Sequence, residues 1–481
     1  MNEAMSKGSS SLSNRKTLFL PLAGVAICLS LLIPYFLEII SLGTVFVVII
    51  TPLLLWLFFT RREAMLLALI AAYFGAGYFF PDLLVQGLIR GLFLALIGVT
   101  LLLELGIKKG IRRISTPLDK VLVLWLIVVL ISFIHGFYVR HNDAGYLFGD
   151  MYKFSEVILV FWLTTFVVKS SRQVKFLIWG FLLMVVVFGA VDSMKFFRQA
   201  YFVSDILLAR VRAGAQFSSI FALVLAVSLI LHERRTITKA ILMFLSLALF
   251  ISFILAFLRT GYIVLPPTLV FILLLHSYKR GRYAITGIAR FTVWVVFLGA
   301  FTALFSVILT SLNPDMDLIQ TTQVRFSTLV TPGSEDPMGV RMLEVQSIIS
   351  QVLTRNPLLG NGLGGEYYGF TQVGGELKWG LKHFVHNNYF DFAIRTGTLG
   401  LAVFLILAFR YLRDGIRFYL RSKSSFYSGV LVGCIGIFIG SSVIALSTSI
   451  FYSPFLFAIM AMTYCVAYLE KKEHQRFKSD G

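Results

Sequence analysis

The chain reads as an all-α, polytopic membrane bundle of about 12–14 transmembrane helices, with one long extracytoplasmic loop carrying an amphipathic helix. Three observations predict it. Of 481 residues, 58% are hydrophobic and only 14% charged, with a mean hydropathy of +0.84. A soluble domain needs far less apolar surface. Many apolar runs reach the roughly 20 residues that cross a bilayer as a helix. Backbone in lipid must pair its polar groups internally, which selects helices over open strands. Finally, Lys and Arg collect in alternate loops, as they do in multi-pass proteins.

From the N-terminus, spans are expected near 17–35, 39–59, 64–80, 83–105, 119–138, 150–168, 174–192, 213–231, 240–257, 261–276 and 290–311. The first is long and lacks a small-residue cleavage site, so it reads as an uncleaved span. Three more follow the long loop, near 397–412, 426–447 and 452–469. Three segments result. Residues 1–209 hold N-terminal transmembrane helices. Residues 210–412 form a core that includes the loop 312–396. Residues 413–481 hold the last helices and a basic tail. With the N-terminus in the cytoplasm, Arg61-Arg62, Lys108-Lys109, Arg234 to Lys239, Lys279 to Arg290, Arg410 to Lys423 and Lys471 to Lys478 all fall on the inner side. Both termini are then cytoplasmic and the loop 312–396 faces outward. The net charge of +19 is mainly this topology signal. Basic loops against anionic lipid account for it without nucleic acid. Cys28, Cys434 and Cys465 lie inside spans, with no metal spacing and no disulfide framework.

The outer loop is about 85 residues long, a length that in a compact fold marks function or disorder. Within it, Val340, Met342, Leu343, Val345, Ile348, Ile349, Val352 and Leu353 form a broad apolar helical face. Arg341, Glu344, Gln346, Ser350 and Gln351 are placed opposite. The helix either lies on the membrane surface or packs against neighbouring loops. Asn356-Pro357 ends it, because a residue before proline disfavours helix. Gly360-Asn361-Gly362-Leu363-Gly364-Gly365 contains GxGxxG, but no strand or βαβ unit precedes it, so a dinucleotide site is rejected. The glycines suit a tight turn whose NH groups face an anion.

The candidate chemistry lies on this outer side. His386 is a proton-transfer candidate, since histidine exchanges protons near neutral pH. It stands just before a helical run, with Asp391 and Arg395 at i, i+4 for an ion pair. His383 lies three residues away, but two histidines without a third ligand make a weak zinc site. Arg259 follows a span directly, Arg210 and Arg212 end an earlier outer loop and open the span near 213–231, and Arg341 begins the amphipathic helix. Arg90 lies inside a span. Any single arginine at a rim can simply snorkel to headgroups. Several beside one histidine suit phosphate oxygens, which guanidinium forks match. Tyr367, Tyr368, Phe370 and Trp379 either stack on sugar rings or form an interfacial aromatic belt.

His386-Asn387, nine residues, then Gly397-Thr398-Leu399-Gly400 is similar to the signature of the O-antigen ligase and polysaccharide polymerase superfamily. Leu258-Arg259-Thr260-Gly261 resembles that family's arginine after a central span. Arg341 followed by Asn356-Pro357-Leu358-Leu359-Gly360-Asn361-Gly362-Leu363-Gly364 resembles its arginine helix and glycine turn. The resemblance covers residues 210–412. It implies a metal-independent membrane glycosyltransferase that takes a glycan from undecaprenyl pyrophosphate on the outer face of the bacterial inner membrane. By resemblance, His386 activates the acceptor hydroxyl. Arg259 and Arg341, with Arg210 and Arg212 near them, bind the donor pyrophosphate, and Asn387, Gly397 and Gly400 support the site.

No cofactor or metal is implied. The implied partners are the lipid-linked donor, a lipid-linked glycan or lipid-A core acceptor, membrane lipids and, for a polymerase, a chain-length regulator. The span count favours polymerisation of repeat units over ligation to lipid-A core or protein. A glutamate of the loop (Glu344, Glu366 or Glu376) is the rival base. A lipid-linked oligosaccharide transporter is a different class of reading. It would show repeats between the halves, and none is visible.

Overall fold

The computed structural model describes residues 61–79, 113–200, 216–256, 258–281, 337–373 and 376–479, with isolated helical positions at 91, 95 and between 289 and 311. The expected spans 17–35, 39–59, 83–105 and 290–311 lie outside the continuously described residues. The chain divides into two compact units, Met1–Lys109 and Gly110–Gly481. In the first, one helix is described, α1 (Arg62–Phe79).

In the second unit, α2 (Asp119–Ile134) runs on as a π-helical turn, His135–Val139. Then come α3 (Ala144–Val167), α4 (Ser171–Ala200), α5 (Gln216–His232), α6 (Thr236–Leu255) and α7 (Arg259–Arg280). The outer segment supplies α8 (Pro337–Ile348), extended by a π-helical turn (Ile349–Leu353), and the strands β1 (Tyr367–Val373) and β2 (Glu376–Lys382). The chain closes with α9 (Asn388–Arg421), α10 (Ser425–Ile444) and α11 (Pro454–Ser479). Among the described residues, six helices are long and apolar enough to cross a membrane: α2 with its π turn, α4, α6, α7, α9 and α10. The protein is a helical membrane bundle.

Helix α10 is the most enclosed of these, with 83% of its apolar window buried. It packs on α5, α7, α9 and α11. Gly433 and Gly436 let it approach closely. A Cβ on Gly436 would stand 2.7 Å from the Ile272 side chain, and one on Gly433 would stand 2.7 Å from Leu225. Small residues allow such approach between membrane helices. On the other side α9 packs on α2, and α3 on α11. Trp125 is the hub there, fully buried and ringed by Phe154, Phe392, Phe404 and Phe457 at 5.5–5.8 Å.

Two features correct the sequence reading. The outer loop is not all-α, because β1 and β2 pair as an antiparallel hairpin from Tyr367↔Lys382 to Val373↔Glu376. Leu377, Trp379 and Leu381 alternate with Lys378, Gly380 and Lys382, and Gly374-Gly375 between the strands is a hairpin signal. Secondly, Glu344 is not on a solvated face. It is 1% exposed, in a buried row with Val340, Ile348 and Val352. That row packs on the hairpin and α9, in a cluster of Ile348, Val352, Tyr367, Val385 and Ile394. The acid is enclosed because polar partners wait for it there.

The glycine turn forms as expected, with positive φ at Gly360, Gly362 and Gly364. It sits against the end of α2. Leu363 NH donates to the Ser132 carbonyl at 3.1 Å, and Asn142 Nδ2 donates to the Asn361 and Leu363 carbonyls at 2.9 and 2.7 Å. Gly397 breaks α9 with φ 65° and ψ −171°, a region open essentially to glycine alone. A Cβ there would collide with the Leu358 carbonyl, so the kink exists where α9 crosses the chain after Pro357. Helix α9 thus begins at Asn388, nine residues before the expected span 397–412, and resumes past the kink to Arg421, so the expected loop 312–396 already ends at Asn387.

Candidate active site

The site is built on two neighbouring elements. Helix α8 presents Glu344, and the short stretch between β2 and α9 presents His386. The Glu344 carboxylate is fully engaged. Its Oε1 accepts from the Tyr367 hydroxyl at 2.6 Å and from Lys382 Nζ at 3.0 Å. Its Oε2 accepts from the His386 backbone NH at 3.1 Å and faces His386 Nδ1 at 3.2 Å. Burial alone would raise this carboxyl. Hydrogen bonds with His386, Tyr367 and Lys382 outweigh it and hold the group at about 2. It is therefore ionised at neutral pH and can only accept. Burial and the same carboxylate push the Tyr367 hydroxyl above its ordinary value, so it remains a donor.

A carboxylate facing Nδ1 fixes the tautomer of the neutral ring. The proton sits on Nδ1 and the lone pair on Nε2. Nε2 has no hydrogen-bond partner among the described residues, and the His386 side chain is 37% exposed. Phe384 lies edge-on to the imidazole, with centroids 5.0 Å apart. The result is an oriented base with one open nitrogen.

The histidine segment is fastened on both sides. Asn387 caps α9, its Oδ1 accepting from the NH groups of Tyr389 and Phe390 at 3.0 and 3.3 Å. The expected Asp391–Arg395 pair forms at 2.9 Å. Arg395 also reaches Asp150 on α3 at 2.8 Å, and all three side chains are buried. Asp150 completes the knot by accepting from Gly364 NH at 3.0 Å and approaching His383 Nε2 at 3.4 Å. The anion that the glycine turn faces is thus the protein's own carboxylate. His383 is stacked on Tyr146 at 4.1 Å and turned towards Asp150. Among the described residues, no group of three or more His, Cys, Asp or Glu side chains has the spacing to hold a metal ion.

The arginines divide. Arg210 and Arg212 lie outside the described residues, as does Arg90. Arg341 is half-buried on α8, one turn before Glu344. Arg259 is the first residue of α7. Its neighbour Thr260 shares a hydrogen bond with Ser447 at 3.2 Å. Ser447 belongs to the 445–453 connection between α10 and α11. The Ala445 carbonyl in that connection accepts from Asn388 NH at 2.8 Å, and Ser449 donates to the Val385 carbonyl at 2.9 Å. The backbones at Arg259 and His386 are therefore tied to one short connection. Gly400 lies a turn beyond the kink, where a Cβ would strike the Thr396 side chain.

Sequence reasoning did not single out Lys382, Tyr367 as a partner of Glu344, or Asp150. For Glu344 a signal exists. Val340, Glu344, Ile348 and Val352 follow at intervals of four, and an acid in such an apolar row must find buried partners. For Asp150 and Lys382 the partners are far away in sequence and no local pattern points to them. No protein-family model and no curated protein matches the chain, so the reading of the site rests on its own residues.

Proposed function

We propose that the chain is a membrane glycosyltransferase that polymerises oligosaccharide repeat units carried on undecaprenyl pyrophosphate, working on the outer face of the bacterial inner membrane. The single observation that carries it is the Glu344–His386 pair: a buried, satisfied carboxylate on Nδ1 and an open Nε2. Glycosyl transfer to a hydroxyl needs such a base and a cationic cradle for the leaving group.

The acceptor hydroxyl oxygen attacks the anomeric carbon and its proton passes to His386 Nε2. The bond from that carbon to the pyrophosphate oxygen breaks, and undecaprenyl pyrophosphate leaves with the electron pair. Glu344 stabilises the imidazolium, as a carboxylate does behind a catalytic histidine. Arg259 and Arg341 receive the charge that develops on the pyrophosphate. Displacement in one step inverts the anomeric centre. Glu344 serves as the histidine's orienting partner, because it is engaged from every side and buried beneath the ring.

The test uses purified protein in detergent with a short undecaprenyl-pyrophosphate glycan and no added metal. A ladder of longer lipid-linked products, lost in His386→Ala and Arg259→Ala, is the expected outcome. Transfer only when lipid-A core is supplied makes the protein a ligase. Full activity in His386→Ala removes the mechanism.

A further inference from the structure

The hairpin has a second face. Residues 367 and 382 point at Glu344, so their neighbours 368, 370, 379 and 381 point the other way. That outer face closes a cavity of about 530 Å³, within the roughly 300–1,000 Å³ of small-molecule sites. Arg140, from the end of α2, and Arg355, after α8, line it beside Tyr368 and Trp379. Asn356, Asn361 and Glu366 complete its polar wall.

The parts are held in place. Gln351 bonds the Tyr368 backbone as a strand would, accepting from its NH at 2.9 Å and donating to its carbonyl at 2.8 Å. Trp379 packs edge-on to Phe370, with centroids 4.6 Å apart. Tyr368 and Trp379 still leave 52% of their surfaces exposed. Among the described residues neither Arg140 nor Arg355 is ion-paired. Flat aromatic faces suit the CH faces of sugar rings. Carboxamides and a carboxylate suit hydroxyls, and two guanidinium groups against one carboxylate suit a ligand with negative charge. An aromatic belt turns its rings to lipid headgroups, and it needs no such polar enclosure.

We infer that this cavity is a binding site for an acidic oligosaccharide, in which Trp379 and Tyr368 carry the rings and Arg140 and Arg355 pair with sugar carboxylates. The inference rests on the glycan-transfer reading above and specifies the glycan. Tyr367 joins the two places, since it belongs to the cavity wall and its hydroxyl bonds Glu344. The glycan therefore lies beside the base and across the hairpin from it.

The test is binding, so it is independent of turnover. Full-length protein in neutral detergent is titrated calorimetrically with a galacturonic acid tetramer and with a maltose-series tetramer. The acidic tetramer is expected to bind at least tenfold tighter. Trp379→Ala and Arg355→Ala each weaken it at least tenfold, and Arg355→Lys recovers part of the loss. His386→Ala binds like the wild type. Equal binding of the two tetramers, no binding of either, or indifference to both cavity substitutions overturns the proposal. Displacement of the tetramer by phosphatidylglycerol at an equal concentration also overturns it, because the site then belongs to a lipid headgroup. If His386→Ala still transfers glycan while the binding pattern holds, the catalytic reading fails and the binding site stands.

Discussion

At the scale of single residues, the outcome turns on Glu344 and His386. His386→Ala should lower glycan transfer by roughly 10²–10⁴-fold, the usual contribution of a positioned base. Glu344→Gln keeps the shape and loses the charge. It should cut the turnover rate with little change in the substrate concentration at half-maximal rate, because it reorients the ring without touching the substrate. Steady-state kinetics of the two variants check both. The Glu344 carboxyl also ties stability to pH. Its folded value of about 2 lies below its ordinary 4.5. The ionised group therefore stabilises the fold above pH 4.5, and that contribution is lost as pH falls from 4.5 towards 2. Thermal unfolding of wild type and Glu344→Gln should differ most near pH 6 and converge near pH 2. The spacing of His386 to Gly397 and Gly400 singles that residue out in the sequence. Glu344 was legible only as one of three loop acids, since its placement depends on Tyr367 and Lys382, which reach it only once the hairpin folds.

At the scale of elements, α9 and the hairpin carry the argument. The α9 kink places Gly397 in a region that glycine occupies freely but that costs a residue with a side chain about 1–3 kcal/mol. Gly397→Ala adds a collision with the Leu358 carbonyl. It should lower the melting temperature and uncouple the Pro357 turn from α9, whereas Thr398→Ala removes one exposed hydrogen bond and should be nearly neutral. Among the described residues most spans came through in the sequence to within about six residues, because apolar runs are local. Helices α4 and α11 run eight and ten residues past the expected ends, and α9 overruns its expected span by nine at each end, since polar residues extend those helices beyond the apolar run. The hairpin did not, although its alternation and Gly374-Gly375 were present, because a long polar loop among membrane spans invites reading at helical period alone. The Asp391–Arg395 pair was legible at i, i+4. Its third member, Asp150, came from 241 positions earlier in the numbering than Asp391 and left no local trace.

At the scale of the whole molecule, the Asp150–Arg395–Asp391 knot joins α3, the glycine turn and α9 in one buried network. Removing one member strands charge in the interior. Arg395→Met should therefore destabilise by about 3–5 kcal/mol, read as a large drop in melting temperature or in folded yield. Topology is a separate expectation. A cysteine replacing exposed Leu358 should react with a membrane-impermeant thiol reagent added outside intact cells. A cysteine replacing Lys471 should react only after the membrane is opened. Cys28 is first replaced by serine, and among the described residues Cys434 and Cys465 are buried. The reverse pattern inverts the whole arrangement and moves the site to the cytoplasm. The membrane class was legible from composition alone, since burying or hiding so much apolar surface has few solutions.

The two-residue period of the hairpin has a consequence for how such a protein can diversify. Positions 367 and 382 serve the base, Tyr367 also forming part of the cavity wall, and positions 368, 379 and 381 belong to the cavity alone. Substitutions at the second set can retune the saccharide that is recognised while the first set is left alone. A one-residue insertion in β1 turns Tyr367 and Tyr368 to the opposite faces, which takes one from the base and the other from the cavity. Variation in specificity should therefore accumulate at alternate positions along these strands, with insertions gathered at the Gly374-Gly375 end.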